Sequence, residues 1–238
     1  MNTLIKQIIS ITFLFLASCS SLKPHEKNVE ALKKIKKVAI IGFTVVEPVA
    51  SSLDPLKPST NNILVGTAKH ADQMWAQLFE VISNKTNWQV VSSDVMKKNP
   101  AYQVAYKSTM EGWQNKMPPG EHVRLLGIQS VMDYESLRIL KPEEKKKLMK
   151  ELRVDALLVA KVNVGLIGTT VMGIGDRYPQ VSVNVQAFSL DSDNDIWRES
   201  FTGEKSEKSV GKTNFFDEEI LVKASLEGSK SALNKIQL

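Results

Sequence analysis

The chain has a single cysteine, Cys19, and only three histidines among its 238 residues. One cysteine cannot form an intramolecular disulfide, so the folded core must be stable without one. The histidines, His25, His70 and His122, lie in separate segments without HxH or HxxxH spacing, and such scattered residues do not indicate a metal site. We therefore expect neither a disulfide framework nor a bound metal, and no motif implies another cofactor.

The sequence also lacks a long hydrophobic run and a strong excess of one charge. Every apolar run is shorter than the roughly 20 residues that a transmembrane helix needs. The net charge is only +5, and many of the lysines fall in two short runs, within residues 33–37 and 145–147. A nucleic-acid-binding protein usually has a larger basic excess on one face, interleaved with aromatic residues. We therefore expect a globular domain that binds no nucleic acid.

The N-terminus has the pattern of an exported lipoprotein. An apolar run over residues 8–16 follows one positive charge, as in a signal peptide. It ends in four residues that match the lipobox of bacterial lipoproteins at every position: Leu16, Ala17, Ser18 and Cys19. We predict a cleaved lipoprotein signal peptide over residues 1–18 and membrane lipid attached through acyl chains on Cys19. The alternatives are an ordinary signal peptide with an incidental cysteine and an uncleaved anchor helix.

The residues after Cys19 are mostly polar, and we predict a flexible tether over residues 19–35, followed by one domain over residues 36–238. Two or three acyl chains would anchor the protein stably in a bilayer. Ser20 occupies the position where an aspartate retains enterobacterial lipoproteins in the inner membrane. Because serine stands there in place of aspartate, we predict an outer-membrane anchor with the domain in the periplasm.

The hydrophobic pattern of the domain indicates an α/β fold. Residues 37–46 are apolar on both faces and rich in β-branched residues, as in a central strand covered on both sides. Residues 180–190 alternate between apolar and polar, so one face of that strand should be partly wet. Further strands are predicted over residues 88–91, 154–164 and 196–203. We expect a mixed β-sheet of about five strands covered by helices.

Helices are predicted between these strands from apolar stripes and capping signals. The first runs over residues 61–85, the second begins at Asn99-Pro100, and a further short helix is predicted around residues 122–130. Another begins at Pro142, and Asn214 is predicted to cap the last helix.

No catalytic constellation is visible. There is no GxSxG nucleophile motif, and Cys19 is committed to lipid. Asp191, Asp193 and Asp195 have the spacing of the first ligands of a calcium loop, but the glycine and glutamate that such a loop needs are missing. We interpret these aspartates as a hairpin turn. We therefore expect no enzyme and no small-molecule substrate, and we disfavour a periplasmic hydrolase.

The glycine-rich segment over residues 165–178 joins two predicted strands and lacks both the GxGxxG and the P-loop pattern. We interpret it as a flexible loop. Val171, Met172 and Ile174 are apolar residues within it, which makes them candidates for contact with a partner protein. The alternative is that this loop packs against its own domain.

Three segments, residues 36–43, 152–159 and 183–197, resemble the first strand, a later "GADALLVG" strand and the "IIW" hairpin of a group of envelope lipoproteins. This group includes CsgG-like curli secretion lipoproteins, the synthase activator LpoB and the N-terminal domain of TolB. The chain departs from it at Val154, where a small residue is usual, and at Ala160, where glycine is common.

The resemblance implies a non-enzymatic, lipid-anchored domain that binds an envelope protein in envelope assembly, secretion or synthase activation. A subunit of an oligomeric curli-type secretion channel is the second hypothesis. Such a channel needs membrane-spanning hairpins, and no segment supplies a convincing pair.

Overall fold

A mixed β-sheet with helices on both faces forms the core of the computed structural model, which describes residues 26–48, 60–110, 122–125, 131–168, 175–191, 195–212 and 215–238. The strands are β1 (Glu26–Lys27), β2 (Lys37–Pro48), β3 (Gln89–Val90), β4 (His122–Leu125), β5 (Ala156–Ile167), β6 (Asp176–Ser189), β7 (Asp195–Thr202), β8 (Gly211–Lys212) and β9 (Phe215–Phe216). The helices are α1 (Val29–Lys34), α2 (Thr60–Lys85), α3 (Ser93–Lys98), α4 (Pro100–Met110), α5 (Ser136–Ile139), α6 (Pro142–Leu152) and α7 (Glu218–Leu233).

Six strands follow one another across the sheet in the order β1-β7-β6-β5-β2-β3. β2 runs parallel to β3 and β5, whereas β5, β6, β7 and β1 pair antiparallel in sequence. β4 pairs antiparallel with the end of β2. These pairings confirm the predicted fold class, a single α/β domain with a mixed sheet covered by helices.

The helices divide between the two faces of the sheet. Phe43 of β2 contacts Trp75 of α2, with ring centroids 5.6 Å apart, and Gly228 of α7 lies against Val181 of β6 on the same face. On the opposite face, Lys145 of α6 lies over the ring of Phe188. The apolar side chains of β2, β5 and β6 under α2 and α7 are fully buried, which explains why these strands are so rich in valine and isoleucine.

A buried polar network fastens residues 131–134 to β2. Thr44 donates its hydroxyl proton to the carboxylate of Asp133, and both side chains are 0% exposed. The hydroxyl of Tyr102 donates to the carbonyl of Ile41 at 2.9 Å and accepts from the amide of Met132 at 3.0 Å. Burial raises the pKa of Tyr102 well above its ordinary value, so the hydroxyl stays protonated and keeps this bridge.

Most of the long predicted elements are confirmed, and their ends move by a few residues. α2, α4 and α6 occupy the predicted helices. Asn99 accepts from the amides of Ala101 and Tyr102, as the predicted helix start requires. β2, β5, β6 and β7 occupy the predicted strands, and Val181, Val183 and Val185 of β6 are buried while the intervening residues are partly exposed.

Three predictions need correction. Residues 122–125 form β4 and not part of a helix, because they pair with the end of β2. The last helix is capped by Asp217, whose carboxylate accepts from the amides of Glu219 and Ile220. Asn214 lies outside the described residues. Residues 26–35, which the sequence assigned to the tether, form β1 and α1 and pack on the domain.

Candidate interaction surface

All of the predicted site residues lie outside the part of the chain that the structure describes: Leu16, Ala17, Ser18, Cys19, Val171, Met172 and Ile174. The structure therefore tests neither the lipid attachment nor the candidate partner-binding residues directly. It does describe the two strands that carry the candidate loop.

The candidate loop is the end of the long β5–β6 hairpin. These strands pair continuously from Ala156 and Ser189 to Ile167 and Tyr178, so the connection is shorter than the predicted loop over residues 165–178. The pairing of β2 with β5 ends at Asn163, and that of β7 with β6 ends at Ser182. The end of the hairpin, residues 164–168 and 175–181, therefore extends past the last residues that pair with β2 and with β7. We call it the hairpin arm.

One edge of the hairpin arm is braced by the segment after β7. This segment, residues 203–212, is called the strap. Its amides donate 2.8 Å hydrogen bonds to carbonyls of β6 at three successive places, from Gly203 to Val181, from Ser206 to Pro179 and from Val210 to Arg177. The strap then pairs as β8 with the first two residues of β6. Lys205 of the strap lies 4.8 Å from the ring centroid of Tyr178. The β6 side of the hairpin arm is thus held in place along its length.

The other edge of the hairpin arm is more open. Among the described residues, no strand pairs with residues 164–167 on the side opposite β6. Ile167, the last residue of β5, is 39% exposed. An unpaired edge and an exposed apolar side chain at a hairpin end are features of surfaces that contact other proteins.

A polar strip leads from the domain towards the hairpin arm on the face opposite α2 and α7. Its first row is Lys161, Asn184 and Ser200, which are register neighbours on β5, β6 and β7. Asn163 of β5 and Ser182 of β6, which are also register neighbours, form a second row closer to the hairpin arm. These side chains are partly or largely exposed, which confirms the partly wet face predicted from the alternation in β6.

Asp195, at the start of β7, is held by two other side chains of the protein. The carboxylate of Asp195 accepts from Gln186 and Arg198. Asp191 is exposed, and Asp193 lies outside the described residues. Burial lowers the pKa of the nearby Lys145, an effect that the charge of Asp195 opposes. Within the described ranges, no three acidic, histidine or cysteine residues are grouped so that they could hold a metal.

The buried network of Asp133, Thr44 and Tyr102 was not predicted. Asp133 falls in a stretch without a periodic pattern, and its partner Thr44 is 89 residues away in the sequence, so no local signal could have indicated it. Because the carboxylate and its hydroxyl partner are fully buried, a solute cannot reach them. The network therefore supports the fold and does not form a reactive centre.

In the described part of the chain, no helix is both long and apolar enough to cross a membrane.

Tyr134, at the border between the buried network and the surface, has a raised pKa because it is buried and lies near Glu135.

No protein-family model matches the chain, and no curated protein matches it either. Among solved structures, it is similar to lipoprotein GNA1162 from Neisseria meningitidis, with 16% identity, a TM-score of 0.34 and coverage of 73% of this chain and 86% of that one. It is also similar to the hypothetical protein CT253 from Chlamydia trachomatis, with 11% identity, a TM-score of 0.34 and coverage of 72% and 73%.

A third similarity is to the LpoB C-terminal domain from Salmonella enterica, with 10% identity, a TM-score of 0.27 and coverage of 70% of this chain and 81% of that one. At these identities and TM-scores, the comparisons do not assign the chain to the group of envelope lipoproteins that its sequence resembles.

Proposed function

We propose that the chain is a non-enzymatic lipoprotein, anchored in the outer membrane through Cys19, whose periplasmic domain binds an envelope protein through the end of the hairpin arm. The anchor rests on the lipobox in the sequence. The binding role rests on one structural observation, which is that β5 and β6 pair with each other beyond the point where their pairing with β2 and β7 ends, and that the strap braces the β6 edge of this arm.

Bracing of the hairpin arm lowers the conformational entropy that is lost on binding. A loop that is carried by two paired strands loses less conformational freedom when it meets a partner than a loop at the end of an unsupported segment. Val171, Met172 and Ile174 would supply apolar contact at the tip of this support, and exposed Ile167 would extend it along the edge of β5. The roles that fit such a domain are envelope assembly, secretion and synthase activation.

The test is a capture experiment with two matched triple variants. In one, Val171, Met172 and Ile174 are each replaced by serine. In the control, serine replaces three apolar residues that are more than half exposed on other elements, Val95, Val104 and Ile139. Tagged protein is crosslinked in intact envelopes, and captured proteins are quantified by mass spectrometry.

We expect the loop variant to lose its main captured partner by about tenfold or more, as for binding hot spots, while the control captures it normally. Both variants should melt like the wild type. Unchanged capture by a loop variant that melts normally would exclude the loop as the binding site. A lower melting temperature for the loop variant alone would show instead that the loop packs on its own domain.

A further inference from the structure

A basic surface surrounds α1, close to the first described residue. Lys27, Lys33 and Lys85 line a shallow groove of about 300 Å³, and Val29 and Leu238 in this groove are 48% and 43% exposed. Lys34 and Lys36 are exposed beside it. We call the lysines and the two apolar residues together the α1 surface.

The described acidic groups around α1 offset only part of this charge. Glu30 is exposed and forms a 2.9 Å ion pair with Lys33. Asp155 accepts from the backbone amides of Lys36 and Lys37. Asp191 is exposed and lines a cavity beside α1 together with Glu30, Lys34 and Asp155. Five exposed lysines against these three carboxylates leave the α1 surface positively charged, with apolar side chains among the lysines.

The covalent chain keeps the α1 surface close to the proposed anchor. Only residues 20–25 separate Cys19 from Glu26, and a fully extended chain of this length spans at most about 25 Å. One of these residues, Lys23, is also basic. β1 fixes the start of the domain against β7, with Glu26 opposite Arg198, and α1 follows directly. The α1 surface therefore lies within a short reach of the bilayer.

We propose that the α1 surface docks on the anionic phospholipid headgroups of the membrane that carries the anchor. The proposal rests on the lipid anchor of the proposed function. Lysines near an anionic surface are attracted to it, and exposed apolar side chains among them can enter the headgroup region. The acyl chains then hold the domain at the membrane, and the α1 surface sets its orientation.

This orientation has a consequence for the hairpin arm. α1 lies near the beginning of β5. Lys36 and Lys37 follow α1 closely in the chain, and their backbone amides donate to the carboxylate of Asp155, which is the residue just before β5. The hairpin arm lies at the other end of β5, which is 12 residues long and so spans about 40 Å. A domain docked through its α1 surface would therefore point the hairpin arm away from the bilayer.

The experiment uses the full-length lipidated protein in vesicles, with a fluorophore on one introduced cysteine. Because Cys19 is the only natural cysteine and its thiol would carry lipid, Asn87→Cys labels the groove and Glu207→Cys labels the strap. The vesicles contain phosphatidylcholine with or without phosphatidylglycerol, and a quencher is placed at the headgroups.

We expect strong quenching at residue 87 and weak quenching at residue 207 in vesicles with phosphatidylglycerol, and a loss of this difference without the anionic lipid or at high salt. Each lysine contributes about a fivefold preference for an anionic surface. A Lys33→Glu, Lys34→Glu, Lys36→Glu variant should therefore lower the equilibrium constant for docking by more than about 100-fold. A matched control, Lys208→Glu, Lys212→Glu, Lys223→Glu, should dock normally.

Equal quenching at the two positions, or normal docking by the α1 variant, would overturn the proposal. Dimerisation through the α1 surface, seen as concentration-dependent light scattering with no lipid dependence, would also overturn it. Mass spectrometry of the purified protein separates the two proposals. An unlipidated Cys19 contradicts the anchor, whereas a lipidated protein without docking contradicts only the inference about the α1 surface. Melting temperatures check that both charge variants fold.

Discussion

Gly42 marks the place where another segment of backbone comes closest to the central strand. Met132 forms a parallel bridge with Gly42, and the pairing of β2 with β5 shifts by one residue between Ile40 and Gly42. A Cβ atom at residue 42 would lie 2.7 Å from the carbonyl oxygen of Asp133 and 3.0 Å from a methyl group of Val159. The absence of a side chain therefore lets residues 131–133 reach β2.

Gly42→Ala should destabilise the domain by about 1–3 kcal/mol, because the new methyl group must displace backbone that the Asp133 network holds in place. Gly165→Ala is the control. Its Cβ would meet its nearest atom at 3.5 Å, an ordinary contact, so we expect a change within about 0.5 kcal/mol. Denaturant unfolding measures both. Equal stabilities of the two variants would show that the segment over residues 131–133 is not packed against β2 as described.

At the scale of single residues, the sequence predicts which side chains are buried better than it predicts their hydrogen-bond partners. Tyr102 belongs to the helix that is predicted to begin at Asn99-Pro100, and its side chain is buried. Its hydrogen bonds to Ile41 and Met132 depend on two chain segments that are distant in sequence, and a local pattern carries no information about them. The same holds for the pairing of Thr44 with Asp133.

Among the secondary-structure elements, α1 differs most from its prediction. It has only six residues, of which the last two are Lys33 and Lys34, and Lys36 and Lys37 follow shortly after it. This composition resembles that of a solvated tether. The fold contains it because Asn28 caps it, accepting from the amide of Ala31, and because Leu32 and Ile35 are buried in the core. Two apolar side chains in a basic segment are a weak local signal, and their burial depends on the domain beneath them.

Leu32→Ser tests whether α1 belongs to the domain. Removing a buried leucine side chain and adding a hydroxyl to its site should lower the free energy of unfolding by about 2–5 kcal/mol. Val29→Ser, on the exposed side of the same helix, should change it by less than about 0.5 kcal/mol. Thermal unfolding followed by circular dichroism compares them. If residues 26–35 were a tether, both variants would melt like the wild type.

The long elements were predictable because their signals are local. The apolar runs of β2 and β5, the alternation in β6 and the stripe of α2 each need only their own residues to be recognised. β4 has only four residues, and it is a strand because the end of β2 offers it a partner. α3 and α5, with six and four residues, are also too short for a periodic pattern to show.

For the whole molecule, the sequence predicted the fold class but could not give the order of the strands, the hairpin arm or the strap. These features arise from pairings between distant segments, such as Gly203 with Val181. The lipid anchor is the reverse case, because it stays a prediction that rests on the sequence alone.

Cys19→Ser should abolish incorporation of a fatty-acid probe and release the protein from the membrane fraction, because no other described or predicted feature would hold it there as firmly as two or three acyl chains. Fractionation and in-gel fluorescence measure both effects. Ser20→Ala, which leaves the acceptor cysteine intact, should remain labelled and membrane-bound. A wild-type protein that carries no label and keeps an intact Met1 would contradict the lipoprotein prediction.

The pairing of β1 with β7 also bears on how the domain comes to fold. β1 meets its partner strand only after nearly the whole chain has been made, and Lys27 donates to the carbonyl of Gln237, which lies 210 residues further on. The central strand likewise waits for Asp155, 118 residues after Lys37. Contacts between such distant segments slow folding, because the intervening chain must be ordered before they form. The first strand of this domain therefore cannot pair until β7 has been synthesised, and it completes its contacts only when the residues after the last helix are present.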